Sequence, residues 1–237
     1  STVSANVDAG FSIVTYTGTG SAGTVGHGLS KAPEMYIVKD RDTGLTNWWT
    51  YHIGNTSAPE TDALRLNGTN VTTDDSTLFN DTAPTALVFS VGSYSEVSGN
   101  TKKYIAYCFH SVTGYSKFGS YSGTGSNVSV TTGFAPAFTM IRRADGVENW
   151  FIFDNTREPD GVVDLRLTAD GPDAEATVTT GLTYTSTGFT VTSTNGAFNA
   201  SGGTYIYMAF ADKREYAYWL DQSGNNNDWT SNNLTES

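Results

Sequence analysis

The chain repeats itself, and the repeat limits what it can fold into. Y-T-G-T-G-S at residues 16–21 returns as Y-S-G-T-G-S at 121–126, 105 positions on. In the same order, G-L-S-K-A-P at 28–33 returns as G-F-A-P at 133–136, and N-W at 47–48 returns at 149–150. D-A-L-R-L at 62–66 matches V-D-L-R-L at 163–167, and V-F-S-V at 88–91 matches G-F-T-V at 188–191. Y-I-A-Y-C-F at 104–109 matches Y-I-Y-M-A-F at 205–210, by which point the offset has drifted to 101. Ordered matches with so little drift mark one structural unit built twice. The small deletions fall in Gly-, Asp- and Thr-rich stretches, where loops accept them. The expected organisation is a lead-in over 1–9, one repeat over 10–113, a second over 114–216, and a tail or linker over 217–237.

Each copy carries the same succession of short apolar runs. In the first these are 11–17, 34–39, 48–52, 63–66, 86–91 and 104–110; in the second, 116–122, 138–142, 150–154, 164–168, 189–192 and 204–211. Gly, Asn, Asp and Ser separate them at regular spacing, the pattern of antiparallel strands joined by turns. With 25 Gly and 13% aromatics among 237 residues, the composition favours strands and tight turns. Helical periodicity is absent, so a parallel sheet with crossover helices is disfavoured. The expected fold is all-β, two tandem antiparallel β-sandwich repeats of jelly-roll-like kind.

Thirteen basic residues against 24 acidic ones give a net charge of −11, with no Lys/Arg run, so nucleic acid is not an expected partner. No apolar stretch approaches the 18 or so residues of a membrane-spanning helix, so membrane insertion is not expected. The single cysteine, Cys108, lies within Y-I-A-Y-C-F and reads as a buried, inert thiol.

The densest chemistry is N-W-W-T-Y-H at 47–52, in a chain with only five Trp and three His. Its repeat is N-W-F-I-F-D at 149–154. Side chains alternate between the faces of a strand. Trp49 and Tyr51 therefore share a face and correspond to Phe151 and Phe153, an aromatic pair that reads as core. The opposite face holds Trp48, Thr50 and His52 in one copy and Trp150, Ile152 and Asp154 in the other. That face is either packing or a ligand platform, with Trp48 beside His52 and Trp150 beside Asp154 as candidate sugar-binding groups. Arg65 and Arg166 recur within L-R-L and read as outward charges, or else as a repeated inter-domain ion pair.

No histidine is repeated: His27, His52 and His110 are matched by Thr132, Asp154 and Ala211. Neither a nucleophile elbow nor an HExxH or CxxC spacing occurs. The G-T-G-S stretches lack the strand-turn-helix setting of a phosphate loop and read as hairpin turns. The chain therefore reads as non-enzymatic. In D-Q-S-G-N-N-N-D, Asp221, Asn225, Asn227 and Asp228 supply hard oxygen donors of the kind Ca²⁺ takes, in a spacing that is not an EF-hand's. An Asx-rich turn explains the same residues.

The run G-F-S-I-V-T-Y-T-G-T-G-S-A-G-T-V-G-H-G-L-S-K-A-P-E-M-Y-I-V-K, followed by N-W-W-T-Y-H and L-R-L-N, resembles a repeat of marine bacteriophage structural proteins of the tail-fibre or virion-appendage kind. L-D-Q-S-G-N-N-N-D-W at 220–229 is similar to the segment joining such repeats to laminin-G/concanavalin-like lectin modules. The resemblance spans about 10–229 and departs in the second copy, where Thr132 replaces His27 and S-K-A-P is shortened. It implies an extracellular place on a virion surface, with copies of the chain and other virion proteins as partners. Host-surface glycan recognition is the alternative role, and no catalytic residues are implied.

Overall fold

The computed structural model describes residues 1–212. The first copy contains β1 (Thr2–Asn6), β2 (Phe11–Thr17), β3 (Gly23–Gly26), β4 (Met35–Asp40), β5 (Trp48–His52), β6 (Asp62–Arg65), β7 (Thr73–Asp74), α1 (Ser76–Phe79), β8 (Val88–Val91), α2 (Ser95–Ser98) and β9 (Lys103–Phe109). The second contains β10 (Ser116–Ser122), β11 (Val128–Thr131), β12 (Pro136–Arg143), β13 (Phe151–Asp154), β14 (Val162–Thr168), β15 (Ala176–Thr185), β16 (Gly188–Val191), α3 (Gly196–Asn199) and β17 (Thr204–Ala211). The fold is all-β and antiparallel, with sheet orders β1-β2-β9-β4-β5-β6-β7, β3-β8 and β10-β17-β12-β13-β14-β15-β16-β11.

Equivalent strands do equivalent jobs. β2-β9-β4-β5 and β10-β17-β12-β13 form the central sheet of each repeat. One face of each is covered by its own repeat. In the first, β3, β8 and α1 close over Tyr16, Tyr36, Trp49, Tyr51 and Phe89. In the second, β14 bends at a register shift between Val163 and Leu165 and leads into β15, β16 and β11 over Tyr121, Phe151, Phe153 and Phe189. A third apolar core lies between the two central sheets. Met35, Ile37 and Leu64 of the first repeat meet Phe118, Met140, Trp150 and Ile206 of the second there. The molecule is thus a stack of sheets with the repeats back to back.

Several expectations change. Residues 1–9 are more than a lead-in, since β1 pairs with β2 over Thr2–Asn6 and forms the sheet edge. The ten-residue β15 was hidden in a Thr-rich stretch that reads as loop. Thr is β-branched and suits a strand, and Gly181 sits where a Cβ would come 2.4 Å from the Val163 carbonyl oxygen.

The G-T-G-S stretches are not hairpin turns either. Each leads from the central sheet to the covering sheet across a one-turn helix. The Tyr16 hydroxyl donates to the Val97 carbonyl, and the Tyr121 hydroxyl donates to that of Phe198. A Cβ at Gly18 or Gly123 would lie 2.3 or 2.2 Å from a backbone oxygen, so the motif repeats because the crossing is tight.

Arg65 and Arg166 do not point outward, and among the described residues neither forms an ion pair between the repeats. Their guanidinium carbons each lie 4.8 Å from a ring centroid, over Trp49 and Phe151 respectively. The sequence match misled because the two L-R-L motifs sit two residues out of step. Thr50 faces Leu64 in β5–β6, whereas Ile152 faces Leu167 in β13–β14.

Candidate functional site

β5 and β13 are central strands, each paired on both sides, and their alternation works as the sequence implies. Trp49 and Tyr51 lie in the first core, and Phe151 and Phe153 in the second. The surprise is the opposite face, where Thr50, His52 and Trp150 are buried rather than open to solvent. It forms the floor of the core between the repeats.

Trp150 is only 2% exposed, and its indole Nε1 donates to the Arg65 carbonyl across the junction at 2.9 Å. His52 is 1% exposed. Its Nε2 lies 3.1 Å from the Tyr207 carbonyl of the other repeat, and its Nδ1 accepts from the Gly54 amide at 3.0 Å. Because a carbonyl only accepts and an amide only donates, the ring is held as the neutral Nε2–H tautomer. Burial pushes its pKa down from 6.5 to about 4. Gly54 meets the second repeat so closely that a Cβ there would lie 2.8 Å from the Ser120 side chain.

The two remaining candidates separate from this pair. Trp48 is half-buried, stacks on Tyr107 at 6.4 Å between centroids, and packs against the shared core. Asp154 accepts from the Arg157 side chain at 2.7 Å and from the Thr156 and Arg157 amides. Partial burial raises its pKa, but those hydrogen bonds outweigh this and leave it lowered. A sugar platform needs an open ring beside free polar groups. Trp150 and His52 are closed over and Asp154 is tied to Arg157, so the four residues do not form one. The candidate calcium ligands Asp221, Asn225, Asn227 and Asp228 lie outside the described residues. Among the described residues no group of three or more His, Cys, Asp or Glu side chains could hold a metal.

Sequence reasoning missed a further residue that fastens the junction. Arg142 is fully buried and reaches into the first repeat. Its guanidinium donates to the Gly68 carbonyl at 3.1 Å and also to the carbonyls of Asn70 and Glu148. Its carbon lies 5.5 Å from the Trp150 ring centroid. Burial pushes its pKa down to about 10, which leaves it charged at neutral pH. The adjacent Thr72 hydroxyl and amide both donate to the Ala144 carbonyl, adding two more links between repeats. Lys39, Arg142's counterpart, bonds within its own repeat, to Thr46. The other histidine held in this way is His27, with Nε2 on the Thr85 carbonyl and Nδ1 on the Leu29 amide. Cys108 is buried, and burial pushes its thiol up to about 12.

The depressed pKa of His52 gives a pH dependence of stability. The unfolded chain binds the proton near pH 6.5 and the folded chain only near pH 4, so between these values the unfolded state holds more protons. Stability contributed by the neutral ring is present above pH 6.5 and is lost as pH falls towards 4. The expected loss is roughly 3 kcal/mol at ~1.36 kcal/mol per unit. Chemical denaturation from pH 7 to pH 4 should show this slope, and His52→Gln should make it shallower, with His27, whose pKa burial also lowers, keeping a part of it. Equal slopes in the two proteins would contradict the assignment.

These features define a class of protein: an all-β pair of repeats fused through their central sheets, with tryptophan, histidine and arginine used as the fastening. The chain belongs to the family described as a domain of unknown function, DUF7483, which matches residues 1–214. That match takes in both repeats together. No curated protein and no solved structure matches the chain.

Proposed function

We propose that the protein is a non-enzymatic structural component of a virion appendage, such as a tail or capsid fibre, assembling with copies of itself and with other virion proteins. The observation that carries the rigid-block reading is the core shared by the repeats. A flexible pair of domains would keep those faces polar, whereas here Trp150, Arg142 and His52 lock them. The virion setting comes from the resemblance of the sequence.

Two features support assembly. Among the described residues β1 pairs on one side only, and all five of its residues are exposed, which leaves a strand edge for another chain to extend. Leu45 and Val147 occupy matching loops before the two N-W pairs, and both are exposed apolar side chains. Isolated apolar residues are ordinary, but the same exposure at matched positions suits a contact surface.

Sedimentation over a wide concentration range tests this. The protein should associate reversibly as concentration rises. Thr2→Lys with Ser4→Lys, or Leu45→Ser with Val147→Ser, should shift association to at least about tenfold higher concentration without loss of fold. A strict monomer at millimolar concentration would sink the assembly reading.

A further inference from the structure

The two repeats treat one equivalent place differently. In the first repeat the Glu96 carboxylate, on α2, fills a slot beside β5. Its Oε2 accepts from the Asn47 amide at 3.1 Å, the Asn47 side chain at 3.0 Å and Trp49 Nε1 at 2.7 Å. Tyr94 closes the slot with its ring edge-on to Trp49, at 6.0 Å between centroids. Arg65 lies over the same indole, 4.8 Å from its ring centroid.

The equivalences in the second repeat are set by matched hydrogen bonds. Tyr104 and Tyr205 donate to the carbonyls of Ser95 and Gly196, and their hydroxyls accept from the amides of Gly99 and Ala200. α2 and α3 therefore superpose in role, and Ala197 stands where Glu96 stands. Asn195 replaces Tyr94 and Phe151 replaces Trp49. Each replacement is smaller, and the carboxylate is gone. What remains is a cleft of about 560 Å³ that includes Asn149, Phe151, Arg166, Thr177, Ser193 and Asn195 in its lining. Asn149 is the counterpart of Asn47, but its side-chain amide donates to Asp170 Oδ2 at 3.1 Å, which leaves its backbone amide facing the vacated place. Arg166 still lies over the aromatic ring, and among the described residues no carboxylate forms an ion pair with it.

We infer that this cleft is a binding site for a small acidic sugar, whose carboxylate takes the place that Glu96 holds in the first repeat. The first repeat shows that the backbone here accommodates a carboxylate beside an arginine-capped ring. In the second, the guanidinium of Arg166 supplies the charge-assisted donor in place of the lost indole N–H. Thr177 and Asn195 offer a hydroxyl and a side-chain amide, and Glu148, also in the lining, is an acceptor for sugar hydroxyls. A wall of aromatic floor and dense short polar groups suits a polyhydroxylated ring better than an apolar ligand. The inference does not rest on the assembly role, although Glu148 of the cleft directly follows Val147 of the proposed contact surface.

Galacturonate is the probe, titrated into the whole chain by calorimetry and by NMR. It should bind at one site per chain, with galactose and acetate each at least about tenfold weaker. Ala197→Glu restores the first repeat's filling and should abolish binding. Arg166→Gln should weaken it at least about tenfold and is expected to fold normally because Arg166 is only half-buried. Circular dichroism checks both variants, and Arg166→Gln decides if Ala197→Glu does not fold. No binding at about 10 mM galacturonate, or binding unchanged by Arg166→Gln, overturns the site. Equal binding of acetate or of galactose overturns its assignment to an acidic sugar.

Discussion

Trp150→Ala is expected to destabilise the protein by about 3–5 kcal/mol, the range for removing a large buried aromatic side chain. The substitution empties the centre of the core between the repeats, where Trp150 packs with Met140, Ile206 and Leu64. It also leaves the Arg65 carbonyl without its donor and removes the ring that lies beside the Arg142 guanidinium. The matching change on the other repeat should cost less. Trp48 is half-buried and stacks on Tyr107 of its own repeat, so Trp48→Ala is expected to cost about 1–2 kcal/mol. Urea denaturation followed by far-ultraviolet circular dichroism gives both values. Similar costs for the two changes would mean that the repeats are not fastened asymmetrically through Trp150.

Arg142→Met is expected to cost about 3 kcal/mol, the scale of leaving a buried polar network without its donor. Methionine approximates the arginine stem, so little volume is lost, and the effect isolates the guanidinium. Three carbonyls lose their partner, those of Gly68 and Asn70 in the first repeat and of Glu148 in the second. Residues 68–72 should then exchange amide hydrogens faster, because Arg142 and the Thr72–Ala144 bonds anchor that loop to the second repeat. Arg142 and Trp150 share a contact, so the double variant should depart from additivity by about 0.5–3 kcal/mol. Additive costs with no change in loop exchange would remove Arg142 from the fastening.

The fold was largely legible because the repeat was. Trp49 and Tyr51 were readable as core from strand alternation together with the aromatic match at Phe151 and Phe153. Alternation says which residues share a face, but not what that face meets. For Trp150 and His52 the answer is the other repeat, a contact between residues far apart in sequence. One signal did exist. Met35–Val38 is apolar without alternation, the pattern of a strand covered on both sides, and Met35 and Ile37 lie in the shared core while Tyr36 and Val38 lie in the first repeat's own. Arg142 was illegible because a charged side chain at a strand end ordinarily reaches solvent, and only the third dimension brings three carbonyls to it. β15 escaped notice because Thr-rich sequence serves strands and loops alike. The cleft in the second repeat is not legible in the sequence, because only matched hydrogen bonds make α2 and α3 equivalent and Glu96 and Ala197 show no kinship as letters.

The central claim is that the repeats share one core and so fold and unfold together. Differential scanning calorimetry of the whole chain tests it most directly. A single transition is expected, with equal calorimetric and van't Hoff enthalpies. Two resolved transitions, or a van't Hoff enthalpy near half the calorimetric value, would contradict it.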